Sequence, residues 1–409
     1  MHTLWRPGNW HNMFGLGLTR FLPSAARSKV RLVVERLQRA VHTSRIASAS
    51  LRRRGTDVRS FVGERVAVLG FLEAPSGLGR GARLMLAEFA QTGVTARGFD
   101  VAPLLELRRR DQARAMLRSL VEYDPSDIIM HLNPPVFENV FLRLPKKAGQ
   151  TATIVAYWAW ELDRLPEFWI ARAQLADEIW TPSPFVASAV NTSAPKFRGA
   201  VKVWPHPVSR DPFPLNTPEK RARARARLNV DGDAFVVGLT FSMASNFSRK
   251  NPIASIEAFS MAFPNRNVAG PVLIVRMLDE HDYPKGAAEI RARAAADPRI
   301  HVVSRADCDI SDFYQALDVL LSLHRSEGYG LNIAEATQAG LNVVATGWSI
   351  SPELLEADNV VAIGSNLVAI DDPQGVYDRV QGARWADANV PEAAAALSRL
   401  QMTQNQFSR

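Results

Sequence analysis

Short apolar runs alternate with amphipathic stretches along most of the chain, and this alternation restricts the fold more than any other feature. From residue 64, "RVAVLGF", "DIIMHL" and "TATIVAYWAW" are typical of buried strands with helical stretches between them. A second set starts after residue 220 and includes "FVVGLTF", "PVLIVRML" and "VLLSLH". Strands that alternate with helices form parallel sheets covered on both faces. We therefore predict an α/β protein with two doubly wound domains that face each other across a cleft.

The proline-rich stretch "SRDPFPLNTPEK" separates the two sets and marks the domain boundary. A length of 409 residues also suits two domains. We predict a basic N-terminal arm (1–60), a first domain (61–208), a linker (209–220), a second domain (221–385) and a C-terminal helix (386–409).

The basic balance of the chain comes from its first 60 residues. They carry twelve Lys or Arg and two Asp or Glu, a net charge of +10, whereas the other 349 residues carry 37 and 39, a net charge of −2. A nearly neutral body argues against nucleic-acid binding. In the arm, Val30, Val33 and Leu37 share one helical face and Lys29 and Arg36 lie on the other side. Such a helix can lie on an anionic membrane or pack on the domain with a solvated basic face.

Cysteine usage and hydropathy bear on the compartment. Cys308 is the only cysteine, so an intrachain disulfide and a cysteine-based zinc site are excluded. No apolar run approaches the 18 residues of a transmembrane helix. We expect a cytoplasmic protein, which would lie peripherally on the inner face of the membrane if the arm binds lipid and not the domain.

The loop "RSEGYG" after the strand "VLLSLH" has the features of an anion site. Gly328 and Gly330 let the backbone come close to a ligand. The helix predicted to start near Leu331 presents free N–H groups and a positive dipole end. Glu335, one turn into this helix, can accept hydrogen bonds from vicinal hydroxyls, and Glu327 lies on the loop. A ligand with a phosphate flanked by sugar hydroxyls is a nucleotide-sugar, and we infer that such a ligand binds here. Alternatively, both glutamates are solvated surface residues.

The longer stretch "SLHRSEGYGLNIAEATQAGLNVVATGWS" strongly resembles the donor-site signature of the retaining glycosyltransferases of family four. That signature has two glutamates separated by seven residues, which Glu327 and Glu335 match. "FSRKNPIASIEAF" is similar to the family's phosphate-binding segment, and the resemblance extends from about residue 64 to 398. It implies the GT-B fold, which consists of two Rossmann-like domains. The arm before residue 64 has no recognised counterpart.

The resemblance also implies roles for individual residues. Glu335 would bind the ribose hydroxyls of the donor, and Glu327 would contact the transferred sugar near the reacting carbon. Backbone N–H groups around Gly330 and Leu331 would hold the diphosphate. Lys250 matches the phosphate lysine and would neutralise the leaving diphosphate. Because the diphosphate itself can take the acceptor proton in that chemistry, no strong protein nucleophile is required.

One departure from the family concerns the phosphates. Many members have an arginine about six residues before the lysine, where this chain has Ala244 and Ser245. Two alternatives follow: Arg249 reaches the phosphates, or Ser245 forms a neutral hydrogen bond to them. A solvated Arg249 is an equally simple interpretation.

In the first domain, "SGLGRG" follows the first strand, and the resemblance makes it the loop that faces the donor. Gly77 and Gly79 would allow close approach, with the following helix starting at Ala82. The stretch "YWAWELDRLPEFW" has Trp158, Trp160 and Glu161 where many relatives have a sugar-binding histidine. Aromatic rings suit sugars and Glu161 could orient an acceptor hydroxyl, but both tryptophans could equally belong to the core.

Three further features have simpler interpretations than the functional ones they suggest. His131, which ends another strand, is an acceptor-side candidate but more often such a histidine is structural. "DCD" at 307–309 and "DGD" at 231–233 match the Asp-x-Asp metal motif of another glycosyltransferase fold, yet a helix cap at Asp309 and a polar turn are simpler. We predict no essential metal and no cofactor. "RARARAR" at 221–227 suggests a nucleic-acid patch, but a solvated helix face is the simpler prediction.

Together with the basic arm, the resemblance thus implies a retaining glycosyltransferase that transfers a sugar, of the hexose class, from a nucleotide-diphosphate donor to a glycan or lipid-linked glycan. Surface polysaccharide or lipopolysaccharide assembly is the expected context. The alternative from another class is a catalytically silent scaffold with the same fold. Its motivation is the missing phosphate arginine and the unusual "YWAWEL" stretch.

Overall fold

The computed structural model describes residues 43–49, 57–74, 76–208, 217–266, 270–378 and 380–407. Residues 43–49 form a helix, α1. The rest of the predicted arm up to residue 56, including its valine face and the proposed membrane contact, lies outside the described residues, as does most of the predicted linker. Within the described ranges, no helix is long and apolar enough to span a bilayer.

The chain divides into two compact units. The first contains the described residues up to Ala159 together with Leu165–Thr181 and Val190–Trp204. The second contains Trp160–Arg164, Pro182–Ala189 and the described residues from Pro205 onward. Each unit is built around its own parallel sheet.

The sheet of the first unit has six parallel strands in the order β2-β1-β3-β4-β5-β6. They are β1 (Val66–Gly70), β2 (Ala96–Asp100), β3 (Asp127–Met130), β4 (Thr153–Tyr157), β5 (Glu178–Thr181) and β6 (Ala200–Val203). The helices along this part of the chain are α2 (Gly77–Thr92), α3 (Ala102–Leu105), α4 (Arg110–Tyr123), α5 (Val136–Phe141), α6 (Lys146–Thr151), α7 (Glu167–Ala173) and α8 (Pro184–Ser193). Every residue of β1, β3 and β4 is buried, as expected for strands covered on both faces.

The sheet of the second unit has six parallel strands in the order β12-β11-β10-β7-β8-β9. They are β7 (Val236–Ser242), β8 (Val272–Leu278), β9 (Ile300–Val303), β10 (Val319–Ser322), β11 (Asn342–Thr346) and β12 (Val360–Ile363). The helices are α9 (Pro218–Arg227), α10 (Phe247–Lys250), α11 (Pro252–Ala262), α12 (Pro284–Ala296), α13 (Ile310–Ala316), α14 (Leu331–Gln338), α15 (Pro352–Leu355) and α16 (Val390–Phe407). Two parallel sheets with alternating helices confirm the predicted α/β class with two doubly wound domains.

The second unit also carries an antiparallel hairpin that the periodicity did not predict. Its strands are β13 (Ser365–Ala369) and β14 (Arg384–Ala388), with Leu367 paired to Ala386. One side of the hairpin is exposed at Leu367, whereas Trp385 is buried. Neither "SNLVA" in β13 nor "RWADA" in β14 is apolar throughout, as "VAVLG" in β1 is, so the criterion that predicts the other strands misses both.

Two helix predictions need correction. The helix α2 begins at Gly77 and not at Ala82, because the Ser76 hydroxyl accepts a hydrogen bond from Gly79 N and caps the first turn. In α9 the arginines do not form a uniformly solvated face. Arg225 is buried, and its guanidinium bonds Asp318 Oδ2 at 2.8 Å and the carbonyl oxygen of Ala316 at 3.1 Å. The spacing of four places Arg221 on the same carboxylate.

Candidate functional site

The loop after β10 and the start of α14 form the centre of the site in the second unit. Helix α14 begins at Leu331, as predicted, and Gly330 precedes it with φ +97°, a left-handed conformation that favours glycine. At Gly328 a Cβ atom would lie 2.2 Å from the carbonyl oxygen of Trp160. Both glycines are therefore required by the backbone itself, whether or not a ligand is bound.

Glu335 lies buried on α14 and is held by a neighbouring helix. The Tyr314 hydroxyl donates to Glu335 Oε2 at 3.1 Å and lies 3.3 Å from the carbonyl oxygen of Asn332. Asn332 Nδ2 donates to the carbonyl oxygen of Thr240 in β7 at 3.2 Å. These contacts join the first turn of α14 to α13 and to the central strand β7, so the carboxylate has a fixed position.

Glu327 is the acidic member of a buried ion cluster. Its carboxylate pairs with Lys250 Nζ, and its Oε1 lies 3.2 Å from Arg249 Nη1. Its backbone N–H donates to the Ser349 hydroxyl at 2.7 Å. Burial alone would raise the pKa of Glu327, but the two cations outweigh it and lower that pKa to about 2. Glu327 is therefore a carboxylate, not a carboxylic acid, at physiological pH.

The Arg249 guanidinium forms hydrogen bonds to backbone carbonyl oxygens of the protein. Nε and Nη2 donate to the carbonyl oxygen of Ser245 at 3.2 and 2.8 Å, and Nη1 donates to that of Ser326 at 2.7 Å. The side chain is buried. Arg249 thus ties the turn at 243–250 to the loop that carries Glu327. The interpretation of a solvated side chain is therefore wrong, and contact of Arg249 with the donor phosphates stays a prediction.

The segment Trp160–Arg164 belongs to the second unit although its chain neighbours belong to the first. Glu161 Oε1 lies 3.8 Å from Arg249 Nη2, and the Glu161 carbonyl oxygen accepts a hydrogen bond from the Ser326 hydroxyl. Burial raises the pKa of Glu161, opposed by Arg249. Glu161, Lys250, Arg249 and Glu327, four of the predicted site residues, are therefore brought together in one cluster.

Trp160 also lies in the second unit and is almost fully buried. Its indole N–H donates to the carbonyl oxygen of Arg164 at 2.7 Å, and its ring meets the edge of Tyr377 with 5.9 Å between centroids. This packing is the core alternative considered for the tryptophans. A role in acceptor binding stays a prediction.

The remaining aromatic candidates lie inside the first unit. Trp158 is fully buried and packs edge-on against Phe137 and Trp169, with centroids 6.0 and 5.3 Å apart. His131 is also buried, and its ring stacks on Tyr157 at 4.1 Å. Both residues have the surroundings of core side chains, and their acceptor-side role stays a prediction.

Gly77 and Gly79 lie in the first turn of α2, in the first unit. At Gly79 a Cβ atom would come within 2.5 Å of the carbonyl oxygens of Phe71 and Ala74. This glycine is required where the helix packs on the loop that follows β1. Donor binding by the two glycines remains a prediction.

The Asp-x-Asp motifs have local partners. Asp309 caps α13, since its Oδ1 accepts from Asp312 N at 2.8 Å, and Asp307 accepts from Ser304 N at 2.8 Å. Asp231 accepts from Asp233 N in a turn. The predicted cap and turn are confirmed. Among the described residues there is no group of three or more His, Cys, Asp or Glu that could hold a metal ion.

Sequence reasoning missed Tyr314, Ser349 and the residues of the hairpin loop that contact the site. Tyr314 and Ser349 each make one decisive hydrogen bond, to Glu335 and to the N–H of Glu327. Tyr314 lies outside the quoted donor-site stretch, and Ser349 is its last residue, 22 residues from Glu327, so the spacing of the two glutamates marks neither of them.

Comparison with known proteins identifies the segment around this cluster. Residues 242–383, which include Lys250, Glu327 and Glu335, match the family model described as "Glycosyl transferases group 1". A search of curated proteins finds no match. A glycosyltransferase from Rickettsia africae ESF-5 has a similar structure, with a TM-score of 0.56 and 14% sequence identity, over 85% of this chain and 93% of that chain.

Two further solved structures have the same architecture. Anabaena Alr3699/HepE, solved in complex with UDP and glucose, has a TM-score of 0.50 and 15% identity over 83% of this chain and 94% of its own. WaaG, a glycosyltransferase involved in lipopolysaccharide biosynthesis, has a TM-score of 0.50 and 16% identity over 84% and 94%. These similarities show that the chain has the GT-B fold, and that residues 242–383 of its second unit are similar to the group 1 glycosyltransferases.

Proposed function

We propose that the protein transfers a sugar, of the hexose class, from a nucleotide-diphosphate donor to a glycan or lipid-linked glycan, with retention of the anomeric configuration. The observation that carries this proposal is the ion pair of Lys250 with Glu327, in the loop that leads into α14, together with Glu335 one turn inside that helix. Lys250 supplies a cation, Glu327 supplies a carboxylate, and Glu335 supplies an acceptor for hydrogen bonds from hydroxyl groups. All three lie within the segment that matches the family model.

The donor diphosphate would bind at the start of α14. The backbone N–H groups of Leu331 and its neighbours and the positive end of the helix dipole favour an anion there. Glu335 would accept hydrogen bonds from the ribose hydroxyls. Lys250 would leave or share its contact with Glu327 and neutralise the diphosphate as the glycosidic bond breaks.

The ionised state of Glu327 decides what it can do. A carboxylate whose pKa is lowered to about 2 cannot act as a general acid near neutral pH. It can accept hydrogen bonds from sugar hydroxyls and stabilise the positive charge that develops at the reacting carbon. The acceptor proton would then pass to the leaving diphosphate, and no covalent intermediate on the protein is required.

The wider setting of the reaction is proposed from the relatives and from the arm. HepE was solved with UDP and glucose, and WaaG is involved in lipopolysaccharide biosynthesis. The net charge of +10 on residues 1–60 favours an anionic surface. We propose that the protein acts in the assembly of surface polysaccharide or lipopolysaccharide at the cytoplasmic face of a membrane.

A deletion tests the membrane contact. Removal of residues 1–60 should abolish co-sedimentation of the protein with anionic vesicles, and unchanged sedimentation would exclude the contact.

A nucleotide screen tests the donor site. The purified protein is heated with UDP, GDP, ADP or TDP, with and without EDTA, and compared with Glu335→Ala. A nucleotide at about 100 times its Kd stabilises a protein by ~2.7 kcal/mol. We expect one nucleotide family to raise the Tm, independently of EDTA, in the wild type only. Glu356→Ala, which removes an exposed carboxylate of the same unit, is the matched control.

The same screen distinguishes the second candidate function, a catalytically silent scaffold. This candidate is favoured by Ala244 and Ser245 at the place of the phosphate arginine and by Arg249, whose donors are bound to carbonyl oxygens. A scaffold would give no Tm shift with any nucleotide. For a nucleotide that binds, NMR of the product formed from the matching nucleotide-sugar tests retention, and an inverted anomeric centre would exclude it.

A further inference from the structure

The loop between β13 and β14 contacts the turn that carries Lys250. Asp372, in this loop, accepts a hydrogen bond of 2.7 Å from Asn246 Nδ2, 126 residues away in the chain. Its two oxygens also accept the backbone N–H groups of Gln374 at 3.0 Å, Val376 at 2.6 Å and Tyr377 at 3.1 Å. All four partners are donors, so an acceptor-only carboxylate suits the position and an amide does not.

Asn246 in turn fixes the start of the short helix α10, which ends at Lys250. Its Oδ1 accepts a hydrogen bond from Arg249 N at 2.9 Å, and its carbonyl oxygen accepts one from Lys250 N at 3.1 Å. The backbone of Asn246 has φ +72° and ψ 113°, a strained conformation for a residue with a side chain. Such strain persists only where the surrounding contacts determine the conformation.

A second residue of the hairpin loop contacts the same turn. The Gln374 side chain accepts a hydrogen bond from Phe247 N at 2.6 Å and donates to the carbonyl oxygen of Met243 at 3.3 Å. Three residues further on, the buried ring of Tyr377 packs against Trp160, next to Glu161. Residues 243–250 are therefore held by two sets of contacts. Asp372 and Gln374 bind them to the hairpin loop, and the Arg249 side chain binds them to the loop that carries Glu327.

We propose that Asp372 is a positioning residue for Lys250, acting through Asn246, and that the hairpin 365–388 serves this purpose. The inference rests on the proposed function in so far as Lys250 neutralises the leaving diphosphate. A displaced lysine would affect the transition state, where the diphosphate charge develops, more than the bound donor. The loss of this positioning should therefore lower kcat while KM for the donor changes little.

Two variants test the link in the full-length protein. Asp372→Asn removes the acceptor for two of the four donors. Asn246→Gly removes both side-chain contacts, to Asp372 and to Arg249 N, but relieves the backbone, because glycine adopts a positive φ without strain. A small misplacement of a catalytic group can cost about 100-fold in rate, and we expect kcat to fall by about 10- to 100-fold in both variants. Asn246→Gly should do so without a lower Tm.

Matched controls exist for both changes. Asp371→Asn alters the adjacent, exposed carboxylate, and Asn229→Gly alters another asparagine with positive φ (+52°), at the end of α9. Neither should change kcat. A second readout does not depend on turnover: the rate at which acetic anhydride modifies Lys250, followed by mass spectrometry. This rate should rise severalfold in Asp372→Asn and Asn246→Gly and stay unchanged in both controls.

The two readouts separate the possible failures. If no nucleotide-sugar is turned over by the wild type but the modification rate of Lys250 rises as expected, the proposed function fails and the positioning inference stands. If the modification rate of Lys250 is the same in all variants, Asp372 does not position this side chain, whatever happens to kcat. If kcat is unchanged in Asn246→Gly, the link has no catalytic role and the proposal is overturned.

Discussion

The Tyr314 hydroxyl donates a 3.1 Å hydrogen bond to Glu335 Oε2, so the proposed ribose acceptor is oriented by a buried phenol from the neighbouring helix. Tyr314→Phe removes this bond and leaves the ring in place. A hydrogen bond to a charged group contributes about 1.5–3 kcal/mol, so nucleotide affinity should fall by about 10-fold or more. Calorimetric titration measures the change. Tyr123→Phe, which removes a peripheral hydroxyl bonded to Thr95, should have no effect, and equal affinities in both variants would contradict the role of Tyr314.

The ion cluster of Glu327 predicts a specific dependence of stability on pH. The folded-state pKa of Glu327, about 2, lies below that of an unfolded glutamate. The ionised form therefore stabilises the fold above about pH 4.3, and this contribution disappears as the pH falls towards 2. The difference in unfolding free energy between wild type and Glu327→Gln should be constant from pH 5 to 8 and shrink below pH 4.

Urea unfolding at a series of pH values measures this difference, with Glu356→Gln, at an exposed carboxylate of the same unit, as the matched control. A difference that grows on acidification would mean that Glu327 is protonated in the folded protein. In that case its proposed role as a charge acceptor at the reacting carbon would also be wrong.

Arg249 is expected to matter for stability as well as for activity. A lysine in its place has one ammonium group and cannot bond the carbonyl oxygens of Ser245 and Ser326 together with Glu327. Removal of one member of a buried ionic network typically costs about 3–5 kcal/mol, and Arg249→Lys should approach this loss of unfolding free energy. Arg291→Lys, at an exposed ion pair with Glu280, should change it by less than about 0.5 kcal/mol. An undiminished stability with weakened nucleotide binding would instead mean that Arg249 contacts the phosphates.

Two arginines of helix α9 differ in their burial and can be compared directly. Arg225 is buried against Asp318 and bonds the carbonyl oxygens of Ala316 and Ala234, whereas Arg223 is exposed. Arg225→Ala removes one of the two arginines that pair with the Asp318 carboxylate. The free energy of unfolding should therefore fall by about 3 kcal/mol or more. Arg223→Ala should cost less than about 0.5 kcal/mol. Denaturant unfolding checks both, and equal losses would restore the interpretation of α9 as a solvated basic face.

The architecture was largely predictable because it depends on patterns that are local in sequence. Buried parallel strands such as β1 and β4 are continuous apolar runs, and each is followed by a helical period. The start of α14 at Leu331 was also predictable, since Gly330 before it provides the positive φ that the turn requires. In α9 the same reasoning failed, because alternation with alanine does not reveal which arginine faces a carboxylate on another element.

The candidate site was predictable in its members but not in its connections. Glu327, Lys250 and Glu335 follow from a motif, and the structure brings the first two into contact. The partners that orient them come from distant segments: Tyr314 for Glu335, and Asp372 through Asn246 for Lys250. A hydrogen bond across 126 residues leaves no periodicity or spacing in the sequence, and so only the folded chain reveals it.

The division of the chain into two units has a practical consequence for dissection of the protein. Because the chain passes between the units at five points, between residues 159 and 205, no single cleavage separates them. A fragment that begins at Pro205 would lack Ser183, whose hydroxyl bonds the Gly328 carbonyl oxygen, and Trp160, against which Gly328 packs. In such a fragment, the loop that contains Glu327 and Gly328 would lack these contacts and would be exposed. Adding a peptide that spans 160–189 in trans should restore its solubility, as in fragment complementation.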